Sequence, residues 1–126
     1  MACIKRKWLK MSKISIEVTL DSNSEVSKEK YNAIKDKNKI IYQEKECKVT
    51  IIKNEFLKIK RESDEFLFEM EFIPNKETKG ICHLKKENLK MDLQILTDYV
   101  IIEENIIIVK YKVLTTNQEV IYKVEV

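Results

Sequence analysis

Apolar side chains occupy every second position over most of this chain. The pattern is clearest in five stretches: Ile14–Leu20, Phe66–Phe72, Leu89–Ile95, Ile107–Val113 and Val120–Val126. Successive side chains of a β-strand point to opposite faces, so a two-residue period predicts strands with one dry face and one wet face. A helix would need apolar residues at positions i, i+3 and i+4, and these stretches lack that spacing. One-sided burial favours an antiparallel sheet, because parallel strands are covered on both faces.

Short polar turns separate the predicted strands. They contain Asn, Asp, Ser or Pro. The chain has only one Gly, and Asn and Asp are the residues that best tolerate the positive φ that turns otherwise obtain from Gly. Closely spaced strands with such turns indicate a sandwich or barrel built from hairpins. The predicted strands are Lys13–Leu20, Lys28–Lys35, Lys39–Glu44, Cys47–Lys53, Glu55–Arg61, Glu65–Ile73, Glu77–Lys85, Asn88–Leu96, Tyr99–Val113 with a break near Asn105, and Glu119–Val126.

An open sheet of this many strands would expose rows of unpaired backbone groups at its edges, and closure removes them. The first and last strands both alternate cleanly, so they can pair with each other. We therefore predict an all-β fold, an antiparallel closed or nearly closed barrel of about eight to ten strands. The interior of such a barrel is either packed with side chains or holds one small ligand.

The segment from Asp21 to Lys39 is the least regular. Ser24 is a residue that could N-cap a short helix over Glu25–Lys35. However, Val26, Tyr31 and Ile34 do not form a good helical stripe. We favour a loop through Ser27 followed by a strand, with the helix as the alternative.

The length of 126 residues predicts a single domain. We assign residues 12–126 to the barrel and residues 1–11 to a flexible basic leader or a mis-called start. The alternative for this segment is an extra edge element anchored by Trp8. No apolar stretch has the roughly 20 residues of a membrane span, and no apolar core follows the basic N-terminus as in a secretory signal. We therefore expect a cytoplasmic protein that does not bind membranes.

No catalytic or metal-binding constellation is evident in the sequence. Cys3, Cys47 and Cys82 are widely spaced and form no metal-ligand pattern with His83, the single histidine. A general base needs an orienting partner and a nucleophile, and the sequence identifies neither. Glu69 and Glu71 share a strand face opposite an apolar stripe, which indicates a solvated face. We expect no cofactor, no metal and no enzyme activity, and we interpret the cysteines as reduced thiols.

Positive charge is concentrated in the first half of the chain. Residues 1–61 contain 16 Lys and Arg against 8 Asp and Glu, whereas residues 62–126 contain 8 against 13. Such asymmetry can mark a nucleic-acid surface. With only two Arg in the chain, however, the residue that makes most base-specific contacts is scarce. We prefer charge pairing between neighbouring strands, and we keep weak nucleic-acid binding through the basic half as a minor alternative.

Three segments resemble the DUF1934 family of calycin-like, or lipocalin-like, bacterial β-barrel proteins. They are "IIYQEKE" (Ile40–Glu46), "GICHLKKENLKMDLQILT" (Gly80–Thr97) and the closing "IIIVKYKVLTTNQEVIYKVEV" (Ile106–Val126). The resemblance covers about residues 12–126 and departs from the family at Glu87-Asn88, where the family usually has Gly. It implies a lipocalin-like barrel in a bacterial cytoplasm and carries no activity or functional residues.

Aromatic residues on the alternating strands could line a ligand cavity or simply fill the core. Aromatic side chains with a few hydroxyl groups are typical of small-ligand pockets. We expect a small apolar ligand in the barrel. One alternative is a filled barrel that serves as a structural or protein-interaction domain, with a homodimer as one form of it. The other is the nucleic-acid binding above. The candidate ligand-lining residues are Tyr42, Phe66, Phe68, Phe72, Tyr111 and Tyr122.

Overall fold

The computed structural model describes residues 11–126, and these residues form only β-strands and the turns between them. None of them belongs to a helix that is long and apolar enough to cross a membrane. The leader predicted over residues 1–11, including Trp8, lies outside the described residues except for Met11, which begins the first strand. The strands are β1 (Met11–Ser22), β2 (Glu25–Asp36), β3 (Lys39–Gln43), β4 (Lys48–Lys53), β5 (Leu57–Glu62), β6 (Phe66–Phe72), β7 (Glu77–Leu84), β8 (Leu89–Ile102), β9 (Ile106–Val113) and β10 (Gln118–Glu125).

The ten strands form a closed antiparallel barrel in which each strand pairs with its neighbours in sequence. The barrel closes between β1 and β10, which pair from Glu17↔Glu125 to Ser22↔Val120. The predicted all-β barrel and the predicted pairing of first and last strands are both confirmed. Because the chain runs up and down, alternate turns lie at the same end. We call the end with the β1–β2, β3–β4, β5–β6, β7–β8 and β9–β10 turns the upper end.

The strand predicted over Lys28–Lys35 is confirmed, but β2 already begins at Glu25, so the loop predicted through Ser27 is too long. The alternative helix over Glu25–Lys35 is wrong. Asn23 and Ser24 form the whole β1–β2 connection, with φ of 50° and 73°. A two-residue hairpin with positive φ at both positions matches the right-handed twist of the flanking strands. This turn sets the pairing of β1 with β2 along its full length, although β2 lacks a regular apolar pattern.

The turn predicted at Thr97-Asp98 is also wrong, because β8 runs through it as one strand of 14 residues. The pairing with β9 shifts between Thr97 and Tyr99, which marks a β-bulge. A bulge accommodates an extra residue and bends the strand without ending it. Polar residues in the middle of a long strand therefore produced a false turn signal.

Asparagine supplies most of the left-handed backbone that the predicted turns require. Asn75, Asn88 and Asn117 have φ of 61°, 48° and 58°. Asn88 thus adopts the left-handed conformation that Gly adopts most readily. At the β2–β3 turn the positive φ of 41° falls on Lys37 instead of a neighbouring Asp or Asn.

Gly80, the single glycine, allows a close approach of β7 to β6 and β8. A Cβ at this position would lie 3.0 Å from Ile95 Cδ1 and 3.1 Å from the backbone oxygen of Glu69. Both separations are shorter than ordinary van der Waals contact, so a side chain here would need Ile95 and the β6 backbone to shift by a few tenths of an ångström. The backbone φ of Gly80 is not positive.

The inward face of the barrel forms a continuous hydrophobic core in its middle and lower part. Its members alternate along each strand, as the two-residue period predicts. The most deeply buried apolar residues are Val49, Ile51, Leu57, Phe72, Ile95, Val109 and Val124. The outward positions carry the charged pairs expected between neighbouring strands, such as Lys58 with Glu69 and Lys110 with Asp98.

Ile51→Ala tests whether the alternating positions share one dry interior. Ile51 is fully buried, so we expect its truncation to lower the free energy of unfolding by about 2–5 kcal/mol through lost burial and an unfilled cavity. Ile101→Ala is the matched control, because Ile101 is an outward strand residue with 37% of its surface exposed. Urea unfolding of the three proteins measures the difference, and equal losses for the two variants would contradict a dry interior.

Candidate functional site

The upper end of the barrel is not filled, and it contains a cavity of about 550 Å³. Its walls come from the inward-facing positions of β1, β2, β5, β6, β9 and β10 and from the β3–β4 turn. The apolar part of the wall includes Val18, Leu20, Val113 and Val120. The core described above forms the floor of the cavity, so the cavity does not continue to the lower end of the barrel.

Arg61 and Glu44 form an ion pair on the cavity wall. The Arg61 Nη1 donates to Glu44 Oε1, and the two side chains are only 23% and 21% exposed. Glu44 also accepts a hydrogen bond of 3.1 Å from the Tyr42 hydroxyl and one of 3.5 Å from the Cys47 thiol. Three donors therefore hold the carboxylate in one orientation.

Tyr122 completes this polar cluster. Its hydroxyl lies 2.5 Å from the hydroxyl of Tyr42, and its ring lies under the Arg61 guanidinium at 5.6 Å from centroid to Cζ. Stacking on an aromatic face adds to the hydrogen bond in fixing the plane of an arginine. We call Tyr42, Glu44, Arg61 and Tyr122 the polar cluster.

Strand alternation places the polar cluster inside the barrel. Arg61 follows Leu57 and Ile59 on the inward face of β5. Tyr42, Val49 and Arg61 lie in one row across β3, β4 and β5. Glu44 is two residues beyond Tyr42 at the start of the β3–β4 turn, so it lies at the level of the next row and reaches Arg61.

Aromatic rings form a second part of the wall. The rings of Phe66 and Phe68 lie 5.0 Å apart on the inward face of β6, and both line the cavity. Tyr111 also lines the cavity, with its ring 4.7 Å from that of Phe72 below it. Phe72 is fully buried, so it belongs to the floor.

The cavity opens beside β2. Only Ala33–Asp36 of β2 pair with β3, and among the described residues 25–32 have no strand partner on that side. Ser27, Glu29 and Tyr31 line the cavity from this unpaired part, and the turn Glu44–Cys47 lines it from across the gap. The Tyr31 hydroxyl donates to Glu29 at 2.8 Å, and its ring lies 4.9 Å from that of Tyr42.

Burial changes the ionisation of the groups around the cavity. It raises the pKa of the Tyr42 phenol, to which Tyr122 contributes further, and it raises the pKa of Tyr122 and Tyr111. Burial, together with the hydrogen bond to Glu29, raises the pKa of Tyr31 to about 12. The pKa of the Cys47 thiol is raised by burial and by Glu44, so this thiol is a poor nucleophile.

Four of the six candidate lining residues lie on the cavity wall, and the other two lie next to it. The wall residues are Phe66, Phe68, Tyr111 and Tyr122. Tyr42 is buried behind the wall and reaches it through its hydroxyl, and Phe72 lies in the floor. Whether any of the six contacts a ligand stays a prediction.

Sequence reasoning missed Arg61 and Glu44, although a signal for both was present. Arg61 continues the inward series of Leu57 and Ile59, and Glu44 continues that of Ile40 and Tyr42. A charged residue in the inward phase next to a strand end is the pattern that could have identified them. What the sequence did not reveal is that the two positions meet.

The other residues considered for chemistry lie apart from the cavity wall, except Cys47. His83 faces outward in β7 between Leu67 and Lys90, and its Nε2 is buried with no hydrogen-bond partner in the described structure. Cys82 is a buried free thiol. Among residues 11–126, no group of three or more His, Cys, Asp or Glu side chains is arranged to hold a metal ion.

The barrel is similar to a solved structure, that of the ywiB protein from Bacillus subtilis. The two share a TM-score of 0.70 and 15% sequence identity over 92% of each chain. This likeness establishes the β-barrel fold as one that a bacterial protein also adopts. No protein-family model and no curated protein matches the sequence.

A double-mutant cycle on Arg61 and Glu44 tests whether the ion pair is coupled inside the barrel. We expect Arg61→Gln, Glu44→Gln and the double variant to give a coupling of about 1–3 kcal/mol in urea unfolding, because the pair is largely shielded from water. The control pair is Lys86 and Glu65, whose side chains are both 70% exposed. It should give less than about 0.5 kcal/mol, and equal coupling in both cycles would refute the shielding.

Alkaline pH should destabilise the protein through its buried tyrosines. Burial raises the pKa of Tyr42, Tyr111 and Tyr122 above the value of about 10 of an unfolded tyrosine. Their contribution to stability is therefore present below pH of about 10 and is lost as the pH rises through their raised pKa values. Denaturant unfolding against pH measures the loss, and tyrosinate absorbance should appear together with unfolding. Tyr111→Phe should lessen the loss and Tyr99→Phe, at an exposed position, should not; the reverse order would contradict this account.

Proposed function

We propose that this protein is a non-catalytic binding protein that holds a small amphipathic molecule in the cavity at the upper end of its barrel. The observation that carries the proposal is the cavity itself. Its volume of about 550 Å³ falls within the range of small-molecule pockets. Its wall also combines apolar and aromatic side chains with a few fixed polar groups, as such pockets do.

The division of the barrel interior supports this proposal over a completely filled barrel. The lower interior is packed with fully buried residues such as Ile51, Ile95 and Val109. At the upper end the inward residues Phe66, Phe68 and Val113 are only partly buried, and they face the cavity. A barrel that served only as a scaffold would gain stability by filling this space with larger apolar side chains.

The gap beside β2 provides a route for a ligand. A barrel that is paired along the full length of every strand encloses its interior, and entry then requires strands to separate. Here the unpaired part of β2 and the turn Glu44–Cys47 lie on opposite sides of the opening. A small molecule can therefore enter without the loss of any strand pairing among the described residues.

We also propose that the chain is a bacterial cytoplasmic member of the DUF1934 family. The similarity of the barrel to that of ywiB supports this assignment at the level of the fold. A homodimer and the lack of membrane and nucleic-acid partners stay predictions. Absence of catalysis is likewise part of the proposal, which rests on binding alone.

A ligand screen with a blocked cavity tests the proposed function. We expect at least one member of a panel of fatty acids, haem, flavins and neutral aromatic amides to raise the thermal unfolding temperature of the wild type. Leu20→Trp, on the cavity wall, should abolish the rise because the indole occupies the cavity. Thr19→Trp is the control, since Thr19 precedes Leu20 on the opposite face of β1.

Circular dichroism of both variants checks that the barrel is intact. Amide chemical shifts in the wild type should change at the upper end of the barrel on ligand addition. The proposed function fails if no member of the panel binds, or if binding survives Leu20→Trp unchanged.

A further inference from the structure

Arg61, the partly buried cation of the cavity wall, is already neutralised by the protein. Arg61 remains protonated at any accessible pH. Its charge is balanced by Glu44, which also accepts hydrogen bonds from Tyr42 and Cys47. An anionic ligand would therefore have to compete with a carboxylate that is held in place by three donors.

The other charged groups at the cavity do not favour an anion. Besides Arg61 and Glu44, the wall contains Glu29, Lys45 and Glu46. These five side chains have two positive and three negative formal charges. The net formal charge of this set is therefore −1, and a ligand carboxylate would make it −2. In a partly shielded site that additional charge is costly to bury.

Arg61 nevertheless has hydrogen-bonding capacity to spare. A guanidinium has five N–H donors in a fixed plane. Among the described residues, its hydrogen bond goes to Glu44 through Nη1, and its plane is fixed over the ring of Tyr122. Donors that are preorganised and only partly shielded suit an uncharged acceptor, because an uncharged group leaves the charge balance with Glu44 intact.

We infer that the ligand of this cavity contacts Arg61 through an uncharged hydrogen-bond acceptor, such as the carbonyl oxygen of an amide, ester or ketone, and not through a carboxylate. The apolar remainder of the ligand packs against Phe66, Phe68 and Val120. This inference rests on the proposed function, because it specifies the chemistry of the molecule that binds there. Glu44 acts through Arg61, as a positioning residue that determines which head groups the arginine accepts.

Two matched probes test the inference on the intact chain. Naphthalene-2-carboxamide and 2-naphthoate have the same ring system and differ in the charge of the head group. We expect the wild type to bind the carboxamide at least about tenfold more tightly, which corresponds to about 1.4 kcal/mol. Titration by isothermal calorimetry at neutral pH measures both dissociation constants, and Leu20→Trp should abolish both.

Glu44→Gln should remove this preference. The amide side chain can still accept from Tyr42 and Arg61, but it leaves the charge of Arg61 without a counter-ion. Binding of 2-naphthoate should then strengthen at least about tenfold, whereas that of the carboxamide should change less than about threefold. Glu104→Gln, at an exposed position of the β8–β9 turn, is the control and should change neither affinity.

The outcomes separate the inference from the proposed function. Tighter binding of 2-naphthoate than of the carboxamide by the wild type, or an unchanged preference in Glu44→Gln, overturns the inference and leaves ligand binding intact. Failure of both probes while another member of the panel binds also overturns it, since neither the head group nor the ring then fits. Failure of every compound overturns the proposed function.

Discussion

The pairing of β1 with β10 is the interaction on which the rest of the structure depends. It gives every strand a neighbour on both sides. It also closes the sheet into a barrel, so that one face of the sheet lines an interior and the other faces solvent. Only after closure do the inward-facing residues of the ten strands point towards one another. The dry interior therefore results from a contact between residues at opposite ends of the chain.

The pairing of β2 with β3 is incomplete towards the upper end, and this gap opens into the cavity. The long β1–β2 hairpin extends beyond the short β3, so the upper part of β2 has a partner on one side only within the described structure. Ser27 and Glu29 of that part have no residue of β3 opposite them, whereas the ring of Tyr31 still contacts that of Tyr42. The cavity and its opening thus arise from a mismatch in strand length and need no irregular segment.

The polar cluster resolves a conflict between burial and polarity. An arginine inside a barrel is costly unless its charge is paired and its donors are used. Glu44 supplies the charge, Tyr122 supplies the ring face, and Tyr42 joins the two through its hydroxyl. The same arrangement leaves part of the guanidinium exposed at the cavity wall. The contacts that stabilise the buried arginine therefore also place hydrogen-bond donors in the cavity.

The sequence by itself determined the all-β class, the inward and outward face of nearly every strand, the closing strand pair and most turn positions, because these depend on local alternation and on turn residues such as Asn75, Asn88 and Asn117. It also placed most of the aromatic wall residues on the inward face. Only the tertiary structure decided that β2 begins at Glu25, that β8 bends at Thr97 without ending, and that Arg61 meets Glu44. These features depend on the relative lengths and register of paired strands, and a residue pattern within one strand holds no information on which residue of another strand lies opposite it.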